Sequence, residues 1–300
     1  MSTFVYWHPS ISGHDKIANH SVILANRLDH LYSQVSQMPG VQTREARPSE
    51  QADWNLAHTP EFVQTLVKSF PVEEGETHAF DELTVLNINS RNTLAYSCGA
   101  ALQATEDIIE GRTLNGFCIT YPGHNAGPAS ASGFCFVNNA VAAASRARDL
   151  GVSRVAIVDF DTHSGVGTLE AIRKGGRKEL FLETYQKKQI SACDHPAVSS
   201  MGNVARLECG NPLEFIKAWD QMLDQLNDFQ PEFIVVSAGF DSHKDDPLGD
   251  MQLEDYHYVW LTERLVSIQP KMVATLEGGY NMEATSRCLQ NFIAQMQQPF

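Results

Sequence analysis

Short, uninterrupted apolar runs alternate with amphipathic segments along the whole chain, a pattern typical of a parallel sheet covered by helices. The apolar runs Val155 to Val158 and Phe233 to Val236 are rich in β-branched residues. Segments with helical spacing lie between such runs, for example Thr93 to Glu110 and Asn138 to Leu150. We therefore predict an α/β fold, a single-domain doubly wound parallel sheet with helices on both faces, over residues 1–300.

The same pattern places the other elements. Further predicted strands are Thr3 to Trp7, Phe117 to Tyr121 and Met272 to Leu276. Further predicted helices are Ala18 to Tyr32, Pro60 to about Ser69, Phe215 to Phe229 and Tyr256 to Ile268. No linker or low-complexity tract divides the chain, which favours one domain.

The run Val155 to Val158 leads into Asp159, Asp161 and His163. Residues two apart on an extended backbone point to the same side, so Asp161 and His163 can converge on one ion. The glycines that follow end the strand, which puts these side chains at its carboxyl edge. Open α/β sheets bind their ligands at that edge.

The run from Phe233 ends in a similar way, because Gly239 is followed by Asp241. Asp241 is the natural third ligand, and two carboxylates with one imidazole leave an open position on zinc or a similar ion. An acid at a strand end is also a common helix cap or turn former, and that alternative stays open for either segment taken alone. Two such strand ends in one chain favour a metal site.

Composition narrows the class of protein. The chain has 300 residues, of which 43% are hydrophobic and 19% charged, and its net charge is -14. This acidity argues against nucleic acid or an anionic membrane as a partner. The first ten residues have neither a basic start nor a long apolar core, so we expect a cytoplasmic protein. Six scattered cysteines without a C-x-x-C pair are expected to be reduced and mostly buried.

Five short motifs follow one another in a fixed order. They are Tyr121-Pro-Gly-His124-Asn125-Ala126, Gly133-Phe-Cys-Phe-Val-Asn-Asn139, Asp159-Phe-Asp161-Thr-His163, Ser237-Ala-Gly-Phe-Asp241 and Glu277-Gly-Gly-Tyr280. Together they closely resemble the histone deacetylase and acetylpolyamine amidohydrolase family, particularly its class II and bacterial branch. The resemblance implies the arginase/deacetylase-like fold.

The resemblance also implies a reaction, the metal-dependent removal of an acyl group, with acetyl the leading candidate, from an amine of a small molecule or peptide. Asp161, His163 and Asp241 match the family's metal ligands. The metal implied is zinc, with ferrous iron as the alternative, and a structural monovalent cation is left open. One metal is expected rather than the two of an arginase, whose additional acids are absent from this motif.

Further roles follow from the resemblance. Tyr280 matches a tyrosine that polarises the scissile carbonyl, and His124 matches the first of two adjacent active-site histidines. Asp159 matches the acid that orients this histidine. Substrate binding is assigned to Phe134 as a wall of the acyl channel, and to the glycines beside the site, Gly133 and Gly279. Phe134 as plain core packing and Tyr280 as an ordinary strand-end aromatic are the simpler alternatives.

The chain departs from the family pattern at the second histidine, which is Asn125 here. Ser164 and Val166 stand where the family has another histidine and an acid or amide that supports the second histidine. An amide cannot take up a proton at a useful pH. We therefore expect His124 to serve as both base and acid, with Asn125 as a catalytic hydrogen-bond partner.

A second departure lies between Leu180 and Cys209, where the family's histidine-containing strand end and glycine-rich channel wall are missing. The channel must therefore be rebuilt. Cys193 and His195 lie in this stretch, and His195 is an alternative proton shuttle, although a histidine before a proline is more often a surface residue.

Two other functions stay open at this point. A different metal-assisted reaction on a specialised metabolite would explain the altered proton shuttle. A binding module that keeps the metal for folding or ligand capture is the non-enzymatic alternative, against which the retention of Tyr280 and the His124/Asp159 pair argues. The sequence leaves a homo-oligomer open.

Overall fold

The computed structural model describes residues 2–17, 24–174, 177–186 and 202–298. Its strands are β1 (Thr3–Trp7), β2 (Val41–Glu45), β3 (His78–Ala79), β4 (Val85–Leu86), β5 (Asn115–Cys118), β6 (Val155–Asp159), β7 (Leu180–Gln186), β8 (Val204–Cys209), β9 (Phe233–Ala238) and β10 (Met272–Leu276). Its α-helices are α1 (Arg27–Val35), α2 (Pro60–Lys68), α3 (Ser90–Ile109), α4 (Asn139–Asp149), α5 (Val166–Lys174), α6 (Pro212–Phe229), α7 (Asp255–Ile268) and α8 (Met282–Met296). Short 3-10 helices cover Pro9–Gly13 and Gln51–Leu56.

Eight strands form one sheet in the order β2-β1-β5-β10-β9-β6-β7-β8. Every neighbouring pair in this sheet is parallel. The remaining two strands, β3 and β4, form a small antiparallel hairpin. The central strands β10, β9 and β6 therefore end side by side at one edge of the sheet.

Helices cover both faces of the sheet, and the side chains of β6 show how. Val155 and Ile157 belong to a core with α2, α3, α4 and α5, whereas Ala156 and Val158 belong to a core with α1, α6, α7 and α8. This alternation follows from the two-residue period of a strand. The predicted doubly wound α/β architecture is confirmed.

Several predicted elements agree closely with the structure. Strands β1 and β10 have the predicted bounds, and α2 begins at Pro60 with the Thr59 hydroxyl accepting a hydrogen bond from Phe62 N at 3.3 Å.

The predicted strand Phe117 to Tyr121 is wrong at both ends, because β5 spans Asn115–Cys118. Tyr121 N donates to the Ser97 hydroxyl instead of a neighbouring strand, so the ladder has ended before this point.

The predicted helix from Ala18 to Tyr32 differs from the structure in its described part, where α1 begins at Arg27 and runs on to Val35. The predicted start at Ala18 lies outside the described residues, which resume at residue 24. Strand β2 and helices α5 and α8 were not predicted.

Within the described residues, no helix is both long and apolar enough to cross a membrane. Five of the described cysteines are buried, as predicted: Cys98, Cys118, Cys135, Cys209 and Cys288.

Candidate metal centre and active site

The order of the central strands brings together segments that are far apart in the sequence. Asp159 at the end of β6 pairs with Ser237 of β9, and Leu276 at the end of β10 pairs with Ala238. The segments that follow these three strand ends therefore lie next to one another. They carry most of the predicted site residues.

The three predicted metal ligands meet at this edge. His163 Nδ1 lies 3.0 Å from Asp161 Oδ1 and 3.0 Å from Asp241 Oδ2. Both acids are fully buried, and the His163 side chain is 27% exposed. The donors, two carboxylates and one imidazole, fit a zinc or ferrous ion with an open coordination position.

The other oxygen of each acid is held by the backbone. Gly278 N donates to Asp161 Oδ2 at 2.7 Å, and Thr162 N donates to Asp241 Oδ1 at 2.9 Å. Such outer contacts fix the direction in which a carboxylate presents its free oxygen. A Cβ atom at Gly278 would contact Asp241 Oδ2 and lie 2.7 Å from Asp161 Oδ2, so only glycine fits here.

Burial and close charges shift the pKa values of the ligands. Burial raises the pKa of Asp241 to about 7, and nearby Asp161 adds to this. Burial acts to lower the pKa of His163, but its hydrogen bonds to Asp161 and Asp241 outweigh this and raise the pKa to about 10. Two acids therefore face one protonated imidazole, and a divalent cation would take the place of that proton.

His124 lies against this centre. Its Nδ1 is 3.0 Å from Asp159 Oδ2, and its Nε2 is 3.8 Å from Asp161 Oδ1, so Nε2 faces the ligands. Glu277 accepts hydrogen bonds from Gly123 N and His124 N at 2.6 and 3.1 Å, which fixes the backbone. Burial acts to lower the pKa of His124, but the charge of Asp159 outweighs it and the pKa is raised well above its usual value.

Asn125 contacts the side of His124 that faces the predicted ligands, with its Nδ2 atom 3.3 Å from His124 Nε2. An amide nitrogen only donates, so this contact fits the neutral ring, in which Nε2 accepts and Nδ1 carries the proton toward Asp159. Gly133 and Phe134 follow with φ values of +55° and +69°. A Cβ at Gly133 would lie 3.0 Å from Asn125 Nδ2, so this turn packs closely on the amide.

Tyr280 completes the ring of predicted residues, and it is 9% exposed. Its backbone N donates to Asp246 Oδ2 at 2.6 Å, and the preceding Gly279 has a φ of +123° that favours glycine. Buried Arg27 donates to the carbonyls of Gly279 and Glu277 at 2.7 and 2.5 Å. No role was predicted for Arg27, Asp246 or Glu277, because their roles depend on contacts between distant segments.

A cavity of about 130 Å³ opens onto the centre. Its described lining consists of Leu83, Pro122, His124, Asn125, Gly133, Phe134, Cys135, Asp161, His163, Gly278 and Tyr280. Gly279 is not among these residues, since a Cβ there would point at Thr285. Leu83, from the turn between β3 and β4, was not predicted.

Cys193 and His195, which were singled out in the sequence, lie outside the described residues. Two further polar residues lie apart from the cavity. His243 is buried, and its Nε2 lies 2.9 Å from Asp255 Oδ1. Glu183, at the altered strand end, pairs with Arg206 on β8.

Known proteins resemble this chain in both sequence and fold. The model of the histone deacetylase domain matches residues 21–296. The chain belongs to the histone deacetylase family. A probable deacetylase of Archaeoglobus fulgidus is 30% identical over 240 residues, which cover 75% of this chain and 66% of that protein. Mouse polyamine deacetylase HDAC10 is 28% identical over 80% of this chain and 39% of that protein.

Solved structures share the fold. The crystal structure of the HDA15 HD domain has a TM-score of 0.90 and 25% identity, covering 99% of this chain and 90% of that one. An acetylpolyamine aminohydrolase from Burkholderia pseudomallei has a TM-score of 0.84 and 23% identity, covering 98% of both chains. Among the relatives, the aligned region spans 66% of the archaeal deacetylase but only 39% of mouse HDAC10.

Proposed function

We propose that this chain is a metal-dependent amidohydrolase that removes an acyl group, with acetyl the leading candidate, from an amine. The observation that carries the proposal is one cavity lined by Asp161, His163, His124 and Tyr280. Asp161, His163 and Asp241 would hold zinc or ferrous iron. The metal, when bound, supplies a Lewis acid that lowers the pKa of a water and polarises a carbonyl.

The chain's own residues would move the protons. The positive charge of a bound cation would oppose the acids that raise the pKa of His124 and so favour the neutral ring. In that form Nδ1 is protonated toward Asp159, and Nε2 can take a proton from the attacking water. As the water oxygen bonds to the carbonyl carbon and the C–N bond breaks, the same Nε2 returns that proton to the leaving amine. The products are a carboxylic acid and an amine, which at neutral pH ionise to a carboxylate and an ammonium group.

Tyr280 and Asn125 would act as donors beside this path. Burial, reinforced by the charge of Asp241, raises the pKa of Tyr280 well above its usual value, so its hydroxyl stays protonated and can donate to the substrate oxygen as charge develops there. Asn125 cannot exchange a proton, and we assign it to hydrogen bonding with His124 or the substrate.

The substrate proposal rests on the cavity wall. Leu83 and Phe134 would flank an apolar chain that carries the acyl amide, and Gly133 leaves room beside Asn125. The names of the relatives add acetylated polyamines to acetyl-lysine peptides as candidate substrates. The net charge of -14 favours a basic or neutral small molecule or peptide over nucleic acid.

We propose that the protein acts in the cytoplasm, as expected from the sequence. That the chain forms a homo-oligomer and that it binds a structural monovalent cation remain open predictions from the sequence.

The test is acyl release from a panel of acetyl-lysine peptides, acetylpolyamines and aryl amides. Zinc-loaded wild type is compared with His124→Ala and Tyr280→Phe, and each change should lower kcat by on the order of 100-fold or more. Wild-type activity that survives both substitutions would exclude the assigned roles. A second candidate is another metal-assisted reaction, which the contact between Asn125 and His124 Nε2 favours. A zinc-loaded wild type that releases no acyl group from any member of the panel would support this candidate.

A further inference from the structure

Three charged residues form a row across neighbouring strands beside the active site. Asp159 of β6 pairs with Glu183 of β7, and Glu183 pairs with Arg206 of β8. Residues paired across a sheet project to the same face, so the three side chains are neighbours. All three are buried, with Arg206 only 5% exposed.

Glu183 and Arg206 form an ion pair through Glu183 Oε1 and Arg206 Nε. Arg206 also lies 4.9 Å from the centre of the Tyr185 ring. Removing two charges from water is costly, so a buried pair is weak evidence for a gain in stability. The contacts of this pair with neighbouring groups therefore need an explanation other than a gain in stability.

Both members of the pair bind the loop that follows the metal ligand His163. Glu183 Oε2 accepts from Gly165 N at 2.8 Å, and Glu183 Oε1 accepts from the Ser164 hydroxyl at 3.2 Å. Arg206 Nη2 contacts the same hydroxyl oxygen at 2.5 Å. The pair thus holds two consecutive residues of this loop.

The loop has little freedom to move elsewhere. A Cβ at Gly165 would lie 3.4 Å from both Glu183 Oε2 and His124 Nδ1. The loop therefore packs closely against both Glu183 and His124. His163 is the most exposed of the three ligands. Its ring position therefore depends most on the backbone that carries it.

We propose that Glu183 and Arg206 are positioning residues, which together hold residues 163–165 and so fix the ligand atom of His163. The inference rests on the proposed metal site and goes beyond it. The Ser164 hydroxyl contacts both members of the pair, and Gly165 N adds a second contact with Glu183. Outer contacts of this kind commonly change metal affinity by 10–100-fold when they are removed.

The test is the zinc dissociation constant of the whole chain, measured by competition with a chromogenic chelator. The double variant Glu183→Leu with Arg206→Met removes both charges, so that neither is left buried alone. We expect zinc binding to weaken by roughly 10–100-fold while circular dichroism of the metal-free protein stays that of wild type. Glu179→Gln, a buried acid just before β7 whose nearest cation is Arg148, is the matched control and should bind zinc as wild type does.

Ser164→Ala tests the same contact without changing a charge, and it applies even where the double variant does not fold. We expect roughly fivefold weaker zinc binding, the effect of one hydrogen bond. Wild-type affinity in folded Ser164→Ala, or in the folded double variant, would overturn the positioning role. A wild type that binds no zinc would instead overturn the proposed metal site, so the two failures are distinguishable.

Discussion

At the scale of single residues, the proposed reaction depends most on which nitrogen of His124 carries the proton. Asp159 Oδ2, at 3.0 Å from Nδ1, accepts that proton and leaves Nε2 free to act as a base. Asp159→Asn can donate to Nδ1 and so favour the opposite tautomer. We expect kcat to fall on the order of 100- to 10,000-fold with little change in KM.

A matched control for this change lies elsewhere in the chain. Asp255 is 2.9 Å from His243 Nε2, but neither residue lines the described cavity. Asp255→Asn should leave kcat within a few-fold of wild type. An equal loss in both variants would mean that the effect comes from general disturbance of the fold.

Gly278 gives a second prediction at this scale, because its missing side chain makes room for two ligands. Gly278→Ala would push a methyl group onto Asp241 Oδ2 and toward Asp161 Oδ2. We expect zinc affinity to fall by roughly 10–100-fold, as measured by chelator competition. Gly202→Ala, where a Cβ meets nothing within 4 Å, should leave the affinity unchanged.

The sequence indicates these ligands because strand geometry is local. Asp161 and His163 are two residues apart, and the structure does bring His163 Nδ1 to Asp161 Oδ1. Arg27, in contrast, holds the carbonyl of Gly279 from 252 positions away. No local pattern encodes that contact, so the sequence points to the predicted ligands but not to such supporting residues.

At the scale of elements, buried His58 connects the active-site loop to α4. Its Nδ1 lies 2.8 Å from Gly127 O, and its Nε2 accepts from Asn138 N at 3.1 Å. Both contacts require the neutral ring, and burial lowers the pKa of His58 to about 4.

Because the folded pKa of His58 lies below its unfolded value near 6.5, the unfolded chain binds more protons between these values. His58 therefore stabilises the fold fully above pH 6.5, and this is lost as the pH falls toward 4. We expect its contribution to the free energy of unfolding to fall by about 2 kcal/mol from pH 7.5 to pH 5. Urea unfolding of wild type and His58→Gln at both pH values measures it.

The difference between the two proteins isolates His58 from other groups that titrate in this range. The exposed His78, replaced in the same way, should leave the pH dependence of wild type unchanged. An identical pH dependence in wild type and His58→Gln would contradict the prediction.

Elements were predictable where their ends have local causes. The Thr59-Pro60 start of α2 is correct, because a capping hydroxyl and a first-turn proline act on adjacent residues. Helix α8 was missed although Asn281 caps it and its buried residues have helical spacing. The start of α1 at Arg27 was not predictable, since the contacts of this side chain are with the far end of the chain.

At the scale of the whole molecule, the centre is assembled only when the sheet is. Asp161 and His163 follow β6, Asp241 follows β9, and Gly278 supports them from the end of β10. The unfolded chain keeps these groups apart, so a metal ion should bind the folded state with strong preference. A bound metal ion would also reduce the repulsion between the acids that converge at this centre.

Metal removal should therefore lower the stability of the whole protein. At a free zinc concentration 100 times the dissociation constant, binding stabilises the fold by about 2.7 kcal/mol, so chelation should lower Tm by several degrees. Differential scanning calorimetry with zinc, with chelator and with magnesium measures this shift, and only zinc should raise Tm. Asp241→Asn removes a ligand and should abolish the zinc-dependent shift, whereas an unaltered shift in that variant would place the stabilising ion elsewhere in the protein.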